Sequence, residues 1–175
     1  MSSNTALAIS VGVLGAIATY LFLGPLGGAL AIWAAFIAWG CYFHCGGKEQ
    51  GLTTTILNNA AGAVIAGIAL TVAGAAIGGS LPAAVWPAIC VGIGVAAMVL
   101  LANVPIFSAI PAQVYGFASV AAYSLMKGGN LMAPTMENPV VVVVLSMIIG
   151  AVFGYVSEKI AGVLAGAGHT RHVKA

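Results

Sequence analysis

LTTTILNNAAGAVIAGIALTVAGAAI, residues 52–77, runs for 26 positions without an Asp, Glu, Lys or Arg. A helix needs about 20 apolar residues to cross the hydrocarbon of a bilayer, so this segment is long enough to span one. Five further stretches, at 6–23, 26–46, 83–102, 105–126 and 139–157, likewise keep charges away from their centres. The chain of 175 residues is 62% hydrophobic and 5% charged, with a mean hydropathy of +1.13. A soluble domain of this size cannot hide that much apolar surface in one core. The pattern predicts an all-α membrane protein of six transmembrane helices, with the lipid bilayer as its first partner.

The connections carry helix breakers: Gly24-Pro25, Gly46-Gly47, Gly78-Gly79-Ser80-Leu81-Pro82 and Asn103-Val104-Pro105. Only the loop from Lys127 to Pro139 is longer. One six-helix domain over 1–165 and a basic tail over 166–175 account for the chain. The first stretch lacks the basic start and small-residue cleavage site of a signal peptide and is read as helix one. Lys and Arg gather on the cytoplasmic side of spanning proteins. With the N-terminus inside, Lys48, Lys159, Arg171 and Lys174 fall on that side and only Lys127 lies outside. Both termini are therefore expected in the cytoplasm. The tail His169-Thr-Arg-His-Val-Lys174 answers this rule, and no nucleic acid is expected as a partner.

Short patterns recur in order. Val11-Gly-Val-Leu-Gly-Ala16 returns as Val91-Gly-Ile-Gly-Val-Ala96, 80 positions on (91 − 11). Phe36-Ile-Ala-Trp-Gly-Cys41 returns as Val114-Tyr-Gly-Phe-Ala-Ser119, 78 on (114 − 36). Gly62-Ala-Val-Ile-Ala-Gly67 returns as Gly150-Ala-Val-Phe-Gly154, 88 on (150 − 62). These predict a duplicated three-helix unit, with repeat one over 6–77 and repeat two over 83–157 plus a helix extension. An odd number of crossings inverts the second copy, and inverted repeats place equivalent groups at the bilayer midplane. Gly24-xxx-Gly28, Gly74-xxx-Gly78 and Gly150-xxx-Gly154 have the spacing that lets helices approach in lipid. Trp39 and Phe117 stand between small residues at mid-helix, and on the repeat the two rings are expected to meet near the centre as an apolar constriction.

Few polar residues enter the stretches. Gln113, two positions after Pro111, could hydrogen-bond a small solute or a backbone carbonyl freed by the proline. Of Asn58 and Asn59, one is expected to face a vestibule and the other to pack. Tyr115, Ser119 and Tyr123 are spaced by four and share a helix face, as a wet path or an interhelical hydrogen-bond seam would. Trp39, Phe117, Gln113, Tyr115, Asn58 and Ser119 are thus the candidate pathway residues. Cys41, His44 and Cys45, at i, i+3 and i+4, form the one cluster with metal-ligand character, suited to Zn or Cu(I); no second Cys or His group balances it, and no cofactor is expected. Glu49, Glu137 and Glu158 lie in loops or at a helix end without a paired acid, base or nucleophile, so no enzyme is expected.

Trp33-xx-Phe36-xxx-Gly40-Cys-Tyr-Phe43, then Gly46-Gly47 and Gly51-Leu52, Val104-Pro105 through Pro111 to Gly116, and Gly150-Ala-Val-Phe-Gly154 resemble the small bacterial inner-membrane proteins grouped as domain of unknown function 1097. The resemblance spans nearly the whole chain. It implies a multi-pass protein of the bacterial inner membrane and lends no catalytic or binding residues.

Three functional classes fit. A channel or facilitator for a small neutral solute, such as urea, an amide or ammonia, suits an uncharged midplane, because ion pathways ordinarily need an intramembrane ionisable group. An ion-coupled secondary transporter would have to bind its driving ion through carbonyls and Ser, Thr or Asn. A non-transporting membrane partner, or a soft-metal protein using Cys41, His44 and Cys45, is the third. A homo-oligomer is expected, since small urea and amide channels also have six helices and assemble as rings. The topology is tested with reporter fusions: alkaline phosphatase fused after Ala175 is expected to be inactive and a fluorescent protein there to glow, while phosphatase inserted between Lys127 and Pro139 is expected to be active. The opposite result at both sites reverses the orientation.

Overall fold

The computed structural model describes residues 1–75 and 81–170. Six α-helices and no strand are found among them: α1 (Ser3–Leu23), α2 (Ile32–His44), α3 (Lys48–Gly74), α4 (Val85–Leu101), α5 (Ile110–Lys127) and α6 (Pro139–Thr170), with a 3-10 turn at Pro105–Phe107 before α5. The Gly78-Gly79-Ser80 turn and the Arg171, His172 and Lys174 part of the basic tail lie outside the described residues.

Local chemistry sets the boundaries. The Ser2 hydroxyl caps α1 by accepting from the Thr5 N–H, as an N-cap should. Gly46 (φ +89°) and Gly47 (φ +67°) turn the chain from α2 into α3, in a left-handed conformation that favours glycine. Pro139 opens α6, where its missing N–H costs nothing. α6 continues past the expected end at 157 to Thr170, and α3 begins four residues before the expected 52, at Lys48.

Two expected helices are shorter than their apolar stretches. The stretch 26–46 does not form one helix: residues 24–30 make successive turns and α2 starts only at Ile32. Pro25 and the left-handed Gly28 (φ +81°) break the helical path. Likewise the stretch 105–126 begins as the 3-10 turn, and α5 starts at Ile110, because Pro105 and Pro111 each lack an N–H for a continuous ladder. At 1.5 Å per residue, the 13 residues of α2 reach about 20 Å, short of the ~30 Å hydrocarbon layer. α1, α3 and α6 are long and apolar enough to cross it.

The packing is inside out relative to a soluble protein. Thr55, Asn58, Asn59, Gln113, Ser119, Ser146 and Ser157 are buried, while Ile9, Val13 and Ile17 of α1 and Ile89, Ile93 and Leu100 of α4 face outward. Such an exposed apolar belt matches a lipid environment. α3 packs most closely on α5 and α6 on α2; α1 lies against α6, α4 against α3, and α3 touches α6 between them. The central cluster is built of Ala34, Ala38, Ala63 and Ala66 with Met98, Phe117, Val142, Val143 and Met147.

Helix backbones meet where a side chain is absent. A Cβ on Gly62 would lie 1.8 Å from Gln113 O, on Gly116 1.9 Å from Asn59 O, and on Gly150 1.9 Å from Ala35 O. No side-chain adjustment relieves a clash with backbone. Gly62→Ala and Gly150→Ala are each expected to destabilise by at least about 1–3 kcal/mol, as overpacking does, whereas Gly12→Ala, with nothing within 4 Å of its Cβ, leaves stability unchanged. Thermal unfolding of the detergent-solubilised variants, followed by size-exclusion fluorescence, measures the difference.

Candidate functional site: a cleft between α2 and α5

The polar groups that seal the two helix breaks are the first part of the site's frame. The Ala31 N–H, at the start of α2, donates to Ser146 Oγ on α6 (2.9 Å), and Ser146 in turn donates to Val142 O. Asn58 Nδ2 on α3 donates to Ile106 O in the 3-10 turn (3.2 Å) and to Thr54 O, and Gln113 Nε2 donates to Phe107 O. Backbone groups without a helical partner must be satisfied in an apolar setting, and these side chains do it. Gln113 therefore takes the backbone role. Neither asparagine faces a vestibule: Asn58 and Asn59 are 0% and 1% exposed, and Asn59 Oδ1 accepts from Cys41 Sγ at 3.6 Å.

With α2 held on α6 and α5 held on α3, the facing sides of α2 and α5 stand apart. The gap is a cleft of about 620 Å³ lined on one side by Trp33, Phe36, Ile37, Gly40, Cys41 and His44 and on the other by Tyr115, Ala118, Ser119 and Ala122. None of these is Asp, Glu, Lys or Arg. Ser119 is 1% exposed and its Oγ has no hydrogen-bond partner among the described residues. The His44 ring meets Tyr115 edge-on across the cleft, with centroids 6.1 Å apart.

Of the expected pathway residues, Tyr115 and Ser119 line this cleft. Trp39 and Phe117 do not, and they do not meet. The Trp39 ring stacks with Phe36 and Phe153 and its Nε1 donates to Ser157 Oγ (3.1 Å), while Phe117 presses on Gly94 at 3.2 Å, the contact a Cβ there would make. At 100° per residue, positions 39 and 117 lie on the opposite helix face from 37 and 115. Tyr123, the third of the i, i+4 series, packs on the core and sits under Lys127 Nζ. Cys41, His44 and Cys45 do not converge either: no group of three His, Cys, Asp or Glu side chains among the described residues is placed to share a metal ion. His44 turns to the cleft, and Cys45, where α2 ends, turns toward Cys41. The i, i+3, i+4 series 33, 36, 37, 40, 44 on α2 was the overlooked signal for the cleft wall.

At one end of the bundle the α2–α3 turn is tied to α6. The Glu158 carboxylate accepts from the Tyr42 hydroxyl and from the Lys48 N–H (2.8 Å). A Cβ on Gly47 would lie 2.9 Å from Glu158 Oε2 and push that carboxylate aside, and the φ of +67° there is itself strained for any other residue. Beside it, Glu49 Oε1 accepts from Lys159 Nζ and Tyr155 Oη, both at 2.9 Å. Glu49, Glu158 and Lys159 lie beyond the apolar stretches 52–77 and 139–157. The Tyr42 hydroxyl, with the Lys48 N–H, holds Glu158 below the usual carboxylate range; the Lys159 ammonium beside Glu49 holds that carboxyl down to about 2.

A model of the family described as "Protein of unknown function (DUF1097)" matches residues 8–162. No curated protein and no solved structure matches the chain.

A carboxyl held low in the folded state contributes stability above its unfolded pKa and loses it as pH falls through the folded value. Stability is therefore expected to be full at neutral pH and to fall below about pH 4, the ordinary carboxylate range. Glu158→Gln should lower the melting temperature at pH 7 and flatten the acid loss; equal melting temperatures for variant and wild type from pH 7 to pH 3 would remove Glu158 from this role.

Proposed function

Because the chain belongs to the DUF1097 family, whose description carries no activity, we propose its function from the cleft: a membrane channel or facilitator for a small neutral solute, of the size and polarity of urea, a short amide or ammonia. The observation that carries this is the cleft lining. It has no carboxylate, ammonium or guanidinium, and it offers one buried, unpartnered hydroxyl, Ser119. An ion would find no carboxylate, ammonium or guanidinium to compensate it there, the one imidazole being that of His44 at one end, whereas a neutral solute needs none.

The wider frame of the proposal is six crossings in two inverted three-helix units, with the short helices α2 and α5 reaching across together with their non-helical lead-ins. Register supports it. The backbone contact of Gly62 with Gln113 and that of Gly150 with Ala35 involve equivalent positions, 88 apart on α3 and α6 (150 − 62) and 78 apart on α2 and α5 (113 − 35). Asn58 and Ser146, which seal the two breaks, are also 88 apart (146 − 58). All four α5 residues of the cleft answer α2 residues of the cleft at an offset of 78: Ile37 and Tyr115, Gly40 and Ala118, Cys41 and Ser119, His44 and Ala122. The cleft then lies on the pseudo-twofold axis, where inverted repeats place their substrate sites.

Gly40 gives a clean test, since a Cβ there meets nothing within 4 Å and a larger side chain enters the cleft without disturbing the packing. In proteoliposomes, solute-driven swelling with urea, acetamide and ammonia is expected without an ion gradient. Gly40→Leu should reduce it about tenfold, which is a barrier increase of about 1.4 kcal/mol, and Trp39→Ala should lower stability without changing the solute preference. Swelling that Gly40→Leu leaves unchanged removes the cleft from the path; flux strictly dependent on a proton or sodium gradient makes the protein a coupled transporter; no flux for any solute overturns the proposal.

A further inference from the structure

Two sulfurs face each other where the cleft meets the α2–α3 turn. Cys41 Sγ and Cys45 Sγ are 3.9 Å apart. Cys41 is 1% exposed yet forms part of the cleft wall, and Cys45, at the end of α2, is half-buried. Two polar side chains of α3 stand beside them. The Thr55 hydroxyl neighbours both sulfurs, and Asn59 lies 3.6 Å from Cys41 Sγ. Thr55 and Asn59 are 0% and 1% exposed. Thr55 Oγ1 and Asn59 Nδ2 have no hydrogen-bond partner among the described residues.

We propose that Cys41 and Cys45 form a binding site for a soft monovalent d10 cation, Cu(I) or Ag(I). Thiolate sulfur selects such cations over hard ones. Metal–thiolate bonds of about 2.3 Å on the 3.9 Å base between the two sulfurs give an S–M–S angle of about 115°, near that of a three-coordinate centre. Two protein ligands suffice for these cations, and the third corner is left open beside Cys45, the more exposed of the two sulfurs.

The unpartnered groups on α3 fit the same site. A thiolate accepts hydrogen bonds, and donors to the ligating sulfurs tune a metal site and hold its ligands in place. The Thr55 O–H has no acceptor in the metal-free site and gains one when a thiol loses its proton. Asn59 presents its carbonyl to the Cys41 S–H; turning the amide over presents Nδ2 to the thiolate in its place. Binding transfers no electrons. The cation displaces the protons that the two sulfurs carry, leaves a bis-thiolate complex of net charge −1, and releases those protons to solvent. The site is independent of the solute proposed for the cleft.

The test uses the full chain, purified in detergent, reduced and titrated without oxygen with Ag(I), followed by calorimetry and by the ultraviolet sulfur-to-metal charge-transfer band. One tight equivalent is expected, with protons released on binding and affinity falling as pH is lowered. Cys41→Ser and Cys45→Ser should each lose that equivalent, and Cys90→Ser, which alters the lone buried thiol of α4, should keep it. Circular dichroism and gel filtration verify that the variants are folded. Bound Ag(I) should also shield the half-buried Cys45 thiol of the wild-type protein from maleimide. Three equal equivalents, one per thiol, a tight equivalent that survives Cys41→Ser, or a Cys45 that bound Ag(I) leaves open to maleimide would each overturn the site, and the last is read on the wild-type protein alone.

Discussion

The close approach of helix backbones at Gly62 and Gly150 is the constraint on which the rest of the structure depends. Lipid tails are as apolar as leucine, so burying apolar side chains between helices gains little, and dispersion contact between close surfaces has to hold the bundle. Gly62 brings α3 onto the Gln113 backbone of α5, and Gly150 brings α6 onto the Ala35 backbone of α2. These two crossings commit one face of each short helix. Because α5 is drawn to α3 and α2 to α6, the remaining faces of α2 and α5 are held apart. The cleft is thus a consequence of the glycine crossings, and it exists without any residue dedicated to keeping it open.

The same geometry explains the buried polar groups. Each short helix is preceded by a break, residues 24–31 before α2 and 102–109 before α5, and each break leaves backbone groups outside a helical ladder. In an apolar medium every such group needs a partner. Ser146, Asn58 and Gln113 supply partners from side chains on the neighbouring helices or the following turn. Their polarity made Asn58 and Gln113 attractive as solute contacts. Placement shows that their amide N–H donors go to the main chain, while Ser119 is the cleft's unpartnered buried hydroxyl.

What the sequence revealed follows the range of each signal. The absence of charge over 52–77 and its counterparts is a property of whole segments, and it sufficed for an all-helical chain in which three helices, α1, α3 and α6, are of membrane length. The family resemblance rested on glycines and aromatics spread along the chain, and it held over residues 8–162. The start of α2 was hidden because Ala29, Leu30 and Ala31 are as apolar as the helix that follows; the informative residues were Pro25 and Gly28. Trp39 and Phe117 drew attention by size and central position, yet helical phase turns them away from each other. The cleft wall was legible only as phase, in the 33, 36, 37, 40, 44 series, and its meaning depended on which partner each face of α2 would find.

That phase separates packing from chemistry. On α2, Ala35, Trp39 and Tyr42 meet α6, and Ile37, Gly40 and His44 face the cleft; at 100° per residue the centres of the two sets are roughly 160° apart. On α5, Gln113, Gly116 and Phe117 make the packing contacts, and Tyr115, Ala118 and Ser119 face the cleft, with the same separation. A change on one face therefore leaves the other largely undisturbed, so on the proposed repeat the two halves can differ chemically inside the cleft while keeping one packing scheme. Cys41 stands opposite the register of Ser119, and His44 opposite that of Ala122. On the proposed repeat, the His44–Tyr115 contact at one end answers an Ile37–Ala122 pairing at the other. One end of the cleft is narrowed by the edge-on contact of an imidazole and a phenol, and the other is bordered by Ile37 and Ala122 with the Trp33 and Phe36 rings on the same α2 face. The two ends are therefore chemically unequal, an imidazole and a phenol at one and a larger apolar surface at the other.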